Sequence, residues 1–158
     1  MQSPADQIEI IGMMAAHESA VADLYEAYAD QLPQFAEFFR VLVEEEREHA
    51  RLIVSFADKV RKRAVQVTPG RFNSHAILTS LDYVRQRLND AQQERVSAMD
   101  ALSTCKDIEE SLIEREFFKI LDEDAPDLRE VLQAIAADTA AHREKVLGAW
   151  EEERQATG

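Results

Sequence analysis

The amino-acid sequence predicts an all-α protein: an antiparallel four-helix bundle with a long crossover between its second and third helices. Three observations predict it. The 158 residues hold only four Gly and four Pro, and the stretches 34–68, 71–125 and 127–147 contain neither. β-branched residues are scattered and never alternate over a useful length, as a half-buried strand requires. Apolar residues instead recur at three-to-four spacing through four long segments, as one face of a helix requires.

The first helix is expected from Asp6, which can cap with Glu9 three residues on, to about Gln31. Leu32-Pro33 makes a tight corner. A second helix runs from about Gln34 to Val65 and stops at Thr68-Pro69-Gly70. Residues 71–92 read as a connection containing a short helix, about His75 to Leu88. A third long helix covers about Gln92 to Asp122. The turn Asp124-Ala125-Pro126 leads into a fourth, about Asp127 to Glu153. Two short corners and one long connection imply two antiparallel hairpins joined by a crossover. The whole, 1–158, is expected to be one domain with a frayed tail at 155–158.

Composition narrows the function. With 46% apolar and 31% charged residues, the chain has too much apolar content for disorder, and no apolar run approaches the ~20 residues of a spanning helix. Met1 to Glu9 has no basic region leading into an apolar stretch, so export is not expected. The lone Cys105 excludes an internal disulfide and any Cys-x-x-Cys site, which makes a cytoplasmic setting the default. A net charge of −13 argues against nucleic acid or an anionic membrane as partner. The one basic cluster, Lys59, Arg61, Lys62 and Arg63, lies where a helix C-terminus favours cations.

The informative residues are polar interruptions of the apolar stripes. Glu18 interrupts Ile11, Met14, Val21, Tyr25, Tyr28 and Leu32 in the first helix. Glu46 and His49 fill the gap in Phe35, Phe38, Leu42, Ile53, Phe56 and Val60 in the second. Met99, Ile113, Phe117 and Leu121 bracket Glu110 in the third, with Glu109 competing for the same register. Leu128, Ile135, Val146 and Ala149 bracket Thr139 and His142 in the fourth. A buried carboxylate costs several kcal/mol unless it is paired or metal-bound. Glu18 precedes Pro33 by 15 residues and Glu46 follows it by 13; Glu110 precedes Pro126 by 16 and Thr139 follows it by 13. At 1.5 Å per residue these positions share one level of the bundle. The halves also echo each other, Glu18 and Glu110 at an offset of 92, His49 and His142 at 93. Carboxylates and imidazoles converging in an apolar bundle suit iron or manganese.

On Glu18 with Tyr25, the run Glu44-Glu45-Glu46-Arg47-Glu48-His49-Ala50, Glu110 and His142, the chain resembles the ferritin-like superfamily, nearest its single-domain rubrerythrin-type branch. The resemblance spans nearly the whole chain. It implies a di-iron or di-manganese centre with one glutamate from each of two helices and a Glu-x-x-His pair from each of the others. Glu46-x-x-His49 matches in full, and Glu18 and Glu110 match the single glutamates. The fourth helix departs, with Thr139-x-x-His142; Asp138 and Glu114 are the candidate stand-ins. The rubredoxin-like domain of typical rubrerythrins, which needs four cysteines, is lacking.

The implied activity is reaction with dioxygen or peroxide as an oxidase, ferroxidase or peroxide reductase, with a separate electron-donor protein; a homodimer is the simplest assembly to expect, since no feature demands a cage. The rival is a non-enzymatic helical scaffold, or an iron-storage or interaction protein with a degenerate site. Tyr25 offers a hydrogen bond to a ligand or an electron to the centre, and simple core packing is its alternative. His17 points off the Glu18 stripe and reads as surface, and His75 as structural or exposed. Cys105 reads as a small buried hydrophobe, and Trp150 as packing at the bundle end or a dimer contact.

Overall fold

The computed structural model describes residues 4–62, 74–111 and 129–157. Among these the fold is all-α, with no strand: α1 (Pro4–Gln31), a 3-10 turn (Pro33–Phe35), α2 (Ala36–Arg61), α3 (Ser74–Gln93), α4 (Ala98–Glu110) and α5 (Arg129–Thr157). It is the helical bundle of the ferritin-like type, with α3 as an added helix. Helices α1 and α2 form one hairpin, α4 and α5 pack as the second pair, and α3 lies along α1. No described helix is long and apolar enough to cross a membrane.

Helix α1 is central. Its expected stripe is buried throughout, and so are Ile10, Ala15, Ala22, Leu24 and Ala29 on other faces. A helix gripped from several sides buries more than one stripe, and α2 and α3 both pack on this one. At its end Leu32 N–H still donates to Tyr28 (2.9 Å), and Phe35 N–H donates to Leu32 (2.8 Å). Pro33, whose missing N–H costs nothing at a helix start, turns the chain into α2. Phe39 is fully buried, contacting Phe38 (5.1 Å between rings), Tyr28 (5.6 Å) and Tyr25 (6.0 Å). These rings fasten the corner end of the hairpin. Lys59 and Arg61 sit in the last turn of α2, as the basic cluster predicted.

Two expectations about the middle of the chain need correction. The short helix expected within the connection is a 20-residue helix, its buried Ile77, Leu81, Val84 and Ala91 at helical spacing. The third helix starts at Ala98 rather than near residue 92, because helical structure is interrupted at residues 94–97. Gln31 takes up the backbone groups freed there. Its Nε2 donates to the carbonyls of Ala91 and Glu94, and Val96 N–H donates to its Oε1 (2.8 Å). Ser97 then caps α4, its Oγ accepting from Asp100 N–H at 3.1 Å. Helix α4 ends at Glu110, capped by Ser111. The expected continuation to Asp122, the stops at Thr68-Pro69-Gly70 and Asp124-Ala125-Pro126, and Glu114 lie outside the described residues. The tail expected to fray is helical to Thr157. Trp150 joins α5 to α4, donating to Ser103 Oγ at 3.0 Å beneath Lys106 and Arg154.

Candidate metal centre

Halfway along the bundle the apolar interior gives way to ionisable groups. Glu18, Glu46 and His49 are each 1% exposed and His142 2%. Around them lie Met14, Val21, Tyr25, Leu42 and Ile53, all buried. Each polar side chain reaches the interior because it occupies an inward turn of its helix. Glu46 and His49 follow Leu42 and precede Ile53 at spacings of four, three and four in α2; His142 precedes buried Val146 by four in α5.

Two groups of ligand atoms form here, Glu18–Glu46–His49 and Glu46–Glu109–His142, each with its atoms within 4.8 Å of one another. Glu46 belongs to both. Its Oε1 lies 3.1 Å from His142 Nδ1 and its Oε2 lies 3.8 Å from His49 Nδ1. One carboxylate thus presents one oxygen to each histidine. The imidazoles stack at 5.7 Å, 24° from parallel.

The outer nitrogens complete a reciprocal pattern. His142 Nε2 of α5 meets Glu45 of α2, and His49 Nε2 of α2 lies 3.6 Å from Asp138 of α5. Each carboxylate stands four residues before the histidine of its own helix and serves the histidine of the other. With a cation at Nδ1, the proton of each ring would sit on Nε2, facing Glu45 or Asp138. Glu45 also lines an open surface groove with Glu37, Arg40, Val41 and Glu44.

The donor set fits a pair of divalent ions. Two ligands at the ~2.0–2.2 Å typical of a first-row ion lie no more than about 4.4 Å apart. The observed groups therefore need to contract by only a few tenths of an ångström. Three carboxylates buried together repel one another, and cations between them remove that cost.

Tyr25, fully buried, donates its O–H to Glu109 Oε1 at 2.9 Å. Burial, and then the Glu109 charge, push its pKa well above the usual tyrosine value, so it stays a neutral donor. Burial and Glu109 likewise raise the Cys105 thiol, one turn before Glu109.

Of the residues singled out in the sequence, Glu18, Glu46, His49 and His142 converge, and Tyr25 borders them. Glu110 does not. It is exposed and pairs with Lys106 at 3.2 Å, while Glu109 turns inward in its place. The reason is the face of α4: Leu102, Cys105 and Ile108 are buried, and Glu109 continues the Leu102–Cys105 line. Asp138, with its side chain 58% exposed, stands outside both ligand groups, against His49. Thr139 is half-buried. His17, read as surface, is 3% exposed; Glu45 was legible only as part of an acidic run.

The sequence profile of rubrerythrin matches residues 9–89, more than half the chain, taking in most of α1, all of α2 and most of α3. The chain belongs to the rubrerythrin family. No curated protein and no solved structure matches it. The matched region carries Glu18, Glu46 and His49; Glu109 and His142, from the second pair of helices, lie beyond it.

Proposed function

We propose that this rubrerythrin-family chain holds two iron or manganese ions, one on either side of Glu46, and reacts with dioxygen or peroxide. The carrying observation is the sharing of Glu46 between two carboxylate–histidine groups. Glu18 and His49 define one ion position; Glu109 and His142 define the other. When bound, such a pair supplies two electrons together to a single oxygen species, which avoids release of a one-electron radical.

The side chains have distinct tasks. Glu46 would serve both ions, and each histidine would offer its Nδ1 to one of them. Asp138 and Glu45 hold the rings from outside. Tyr25 O–H fixes one oxygen of Glu109 and leaves the other for the ion. Buried Met14, Val21, Leu42 and Ile53 exclude bulk water. Thr139 offers no carboxylate where α5 mirrors Glu46, so the ion beside His142 would be the weaker one. Electrons come from a separate donor protein, and the working unit is a homodimer.

Anaerobic Fe(II) titration tests this reading. Two irons per chain, one tight and one weaker, followed by oxidation with peroxide or dioxygen, is the expected result. Failure to bind either iron or manganese favours the second reading, a helical scaffold whose polar core is self-satisfied. That reading draws on the Glu45 and Asp138 contacts to the two histidines.

A further inference from the structure

His17 adjoins Glu18 in sequence, about 100° away around the helix, yet both are buried. Helix α3 makes that possible. Glu18 faces α2, whereas His17 faces α3, where its Nε2 lies 2.8 Å from Ser80 Oγ. Its Nδ1 lies 3.8 Å from Glu18 Oε1. One imidazole therefore spans the crossover helix and a carboxylate of the candidate centre.

We propose that His17 is a positioning residue: held by the Ser80 hydroxyl, it directs Nδ1–H at Glu18 and steers that carboxylate toward Glu46 and His49. This rests on the two-metal reading and deepens it, making α3 part of the site. A serine hydroxyl can donate or accept, so geometry alone leaves two tautomers. If Nε2–H donated to Ser80, the Nδ1 lone pair would face a carboxylate oxygen in a desolvated core, two electron-rich atoms with no screening. If Ser80 O–H donates to Nε2, the positive end of Nδ1–H faces Glu18 instead. The second arrangement is the stable one. His17 contributes to neither ligand group, so it acts through Glu18. Glu18 belongs to only one group, which confines the effect to one ion.

Three variants separate positioning from mere packing. His17→Asn keeps an N–H near the place of Nδ1; His17→Gln keeps an amide only near Nε2; Ser80→Ala removes the anchor. Each is titrated anaerobically with Co(II), following the ligand-field bands, and the tautomer is read by 15N NMR of the metal-free wild type. The expected result is protonated Nδ1, with one of two binding steps weakened roughly tenfold or more in Ser80→Ala and His17→Gln. His17→Asn should recover most of that affinity. Protonated Nε2 in wild type overturns the proposal, as does equal weakening of both steps in all three variants. Co(II) uptake with unchanged variants overturns this role alone. No uptake by wild type overturns the two-metal reading along with it.

Discussion

Replacing Glu46 by glutamine should stabilise the metal-free protein and weaken both ion positions together. The change keeps volume and removes one charge from a side chain 1% exposed. Glu18 and Glu109 each place an oxygen within 4.8 Å of it. At an effective dielectric of about 20, like charges 4.8 Å apart repel by about 3.5 kcal/mol each before relaxation. The lost partners are His142 Nδ1 at 3.1 Å and His49 Nδ1 at 3.8 Å, and a glutamine oxygen can still face one of them. The net change for the metal-free protein is therefore favourable, on the order of 1–2 kcal/mol. At about 2–4 °C per kcal/mol for a chain of this size, the melting midpoint rises by about 2–8 °C. With metal at 100 times its dissociation constant, each wild-type site adds about 2.7 kcal/mol, or about 5–11 °C. The variant should lose most of that gain. Differential scanning fluorimetry with chelator and with Mn(II) reads both arms. A variant that melts lower without metal, yet keeps the full Mn(II)-induced rise, would refute the reasoning.

Four further outcomes follow from named contacts. Glu109→Gln should weaken the ion position beside His142, whereas Glu110→Gln, at an exposed surface pair, should leave Fe(II) stoichiometry unchanged and shift stability by less than about 0.5 kcal/mol; calorimetry on the two variants decides the register of α4. Tyr25→Phe removes a donor to a charged acceptor and should cost about 1.5–3 kcal/mol in urea unfolding at neutral pH. The raised pKa of folded Tyr25 makes its contribution full below the unfolded tyrosine value of about 10 and lost as pH climbs past it toward the folded value, so wild-type urea midpoints should fall above that pH more steeply than those of Tyr25→Phe. Thr139→Glu restores a carboxylate at the α5 position that mirrors Glu46 and should tighten the weaker step of an Fe(II) titration; two equal steps in wild type would contradict the asymmetry.

How much of this was legible in the sequence depended on how many neighbours each helix has. Helix α2 shows a clean amphipathic pattern, so Glu46 and His49 could be placed inward from their spacing to Leu42 and Ile53. Helix α1 is buried on several faces, so the assumption of one stripe put His17 outside. The register of α4 was set from Met99, Ile113, Phe117 and Leu121, three of which lie beyond the described helix, and the inward face fell one residue off, on Glu110 instead of Glu109. The buried Leu102 and Cys105 carried the correct phase. The break at 94–97 was hidden because Gln31, 60 residues from Ala91, satisfies the backbone there. Likewise, an acidic run cannot reveal that Glu45 reaches across to His142, since that contact depends on how α2 and α5 meet.

The central claim, two ions bridged by Glu46, is tested most directly by a crystal structure of protein soaked anaerobically in Fe(II), with anomalous differences recorded at the iron edge. Two peaks are expected, about 3.5–4 Å apart. One should lie against Glu18 and His49, the other, of lower occupancy, against Glu109 and His142. Peaks only at the exposed Glu37–Glu45 groove, or none within reach of Glu46, would contradict it.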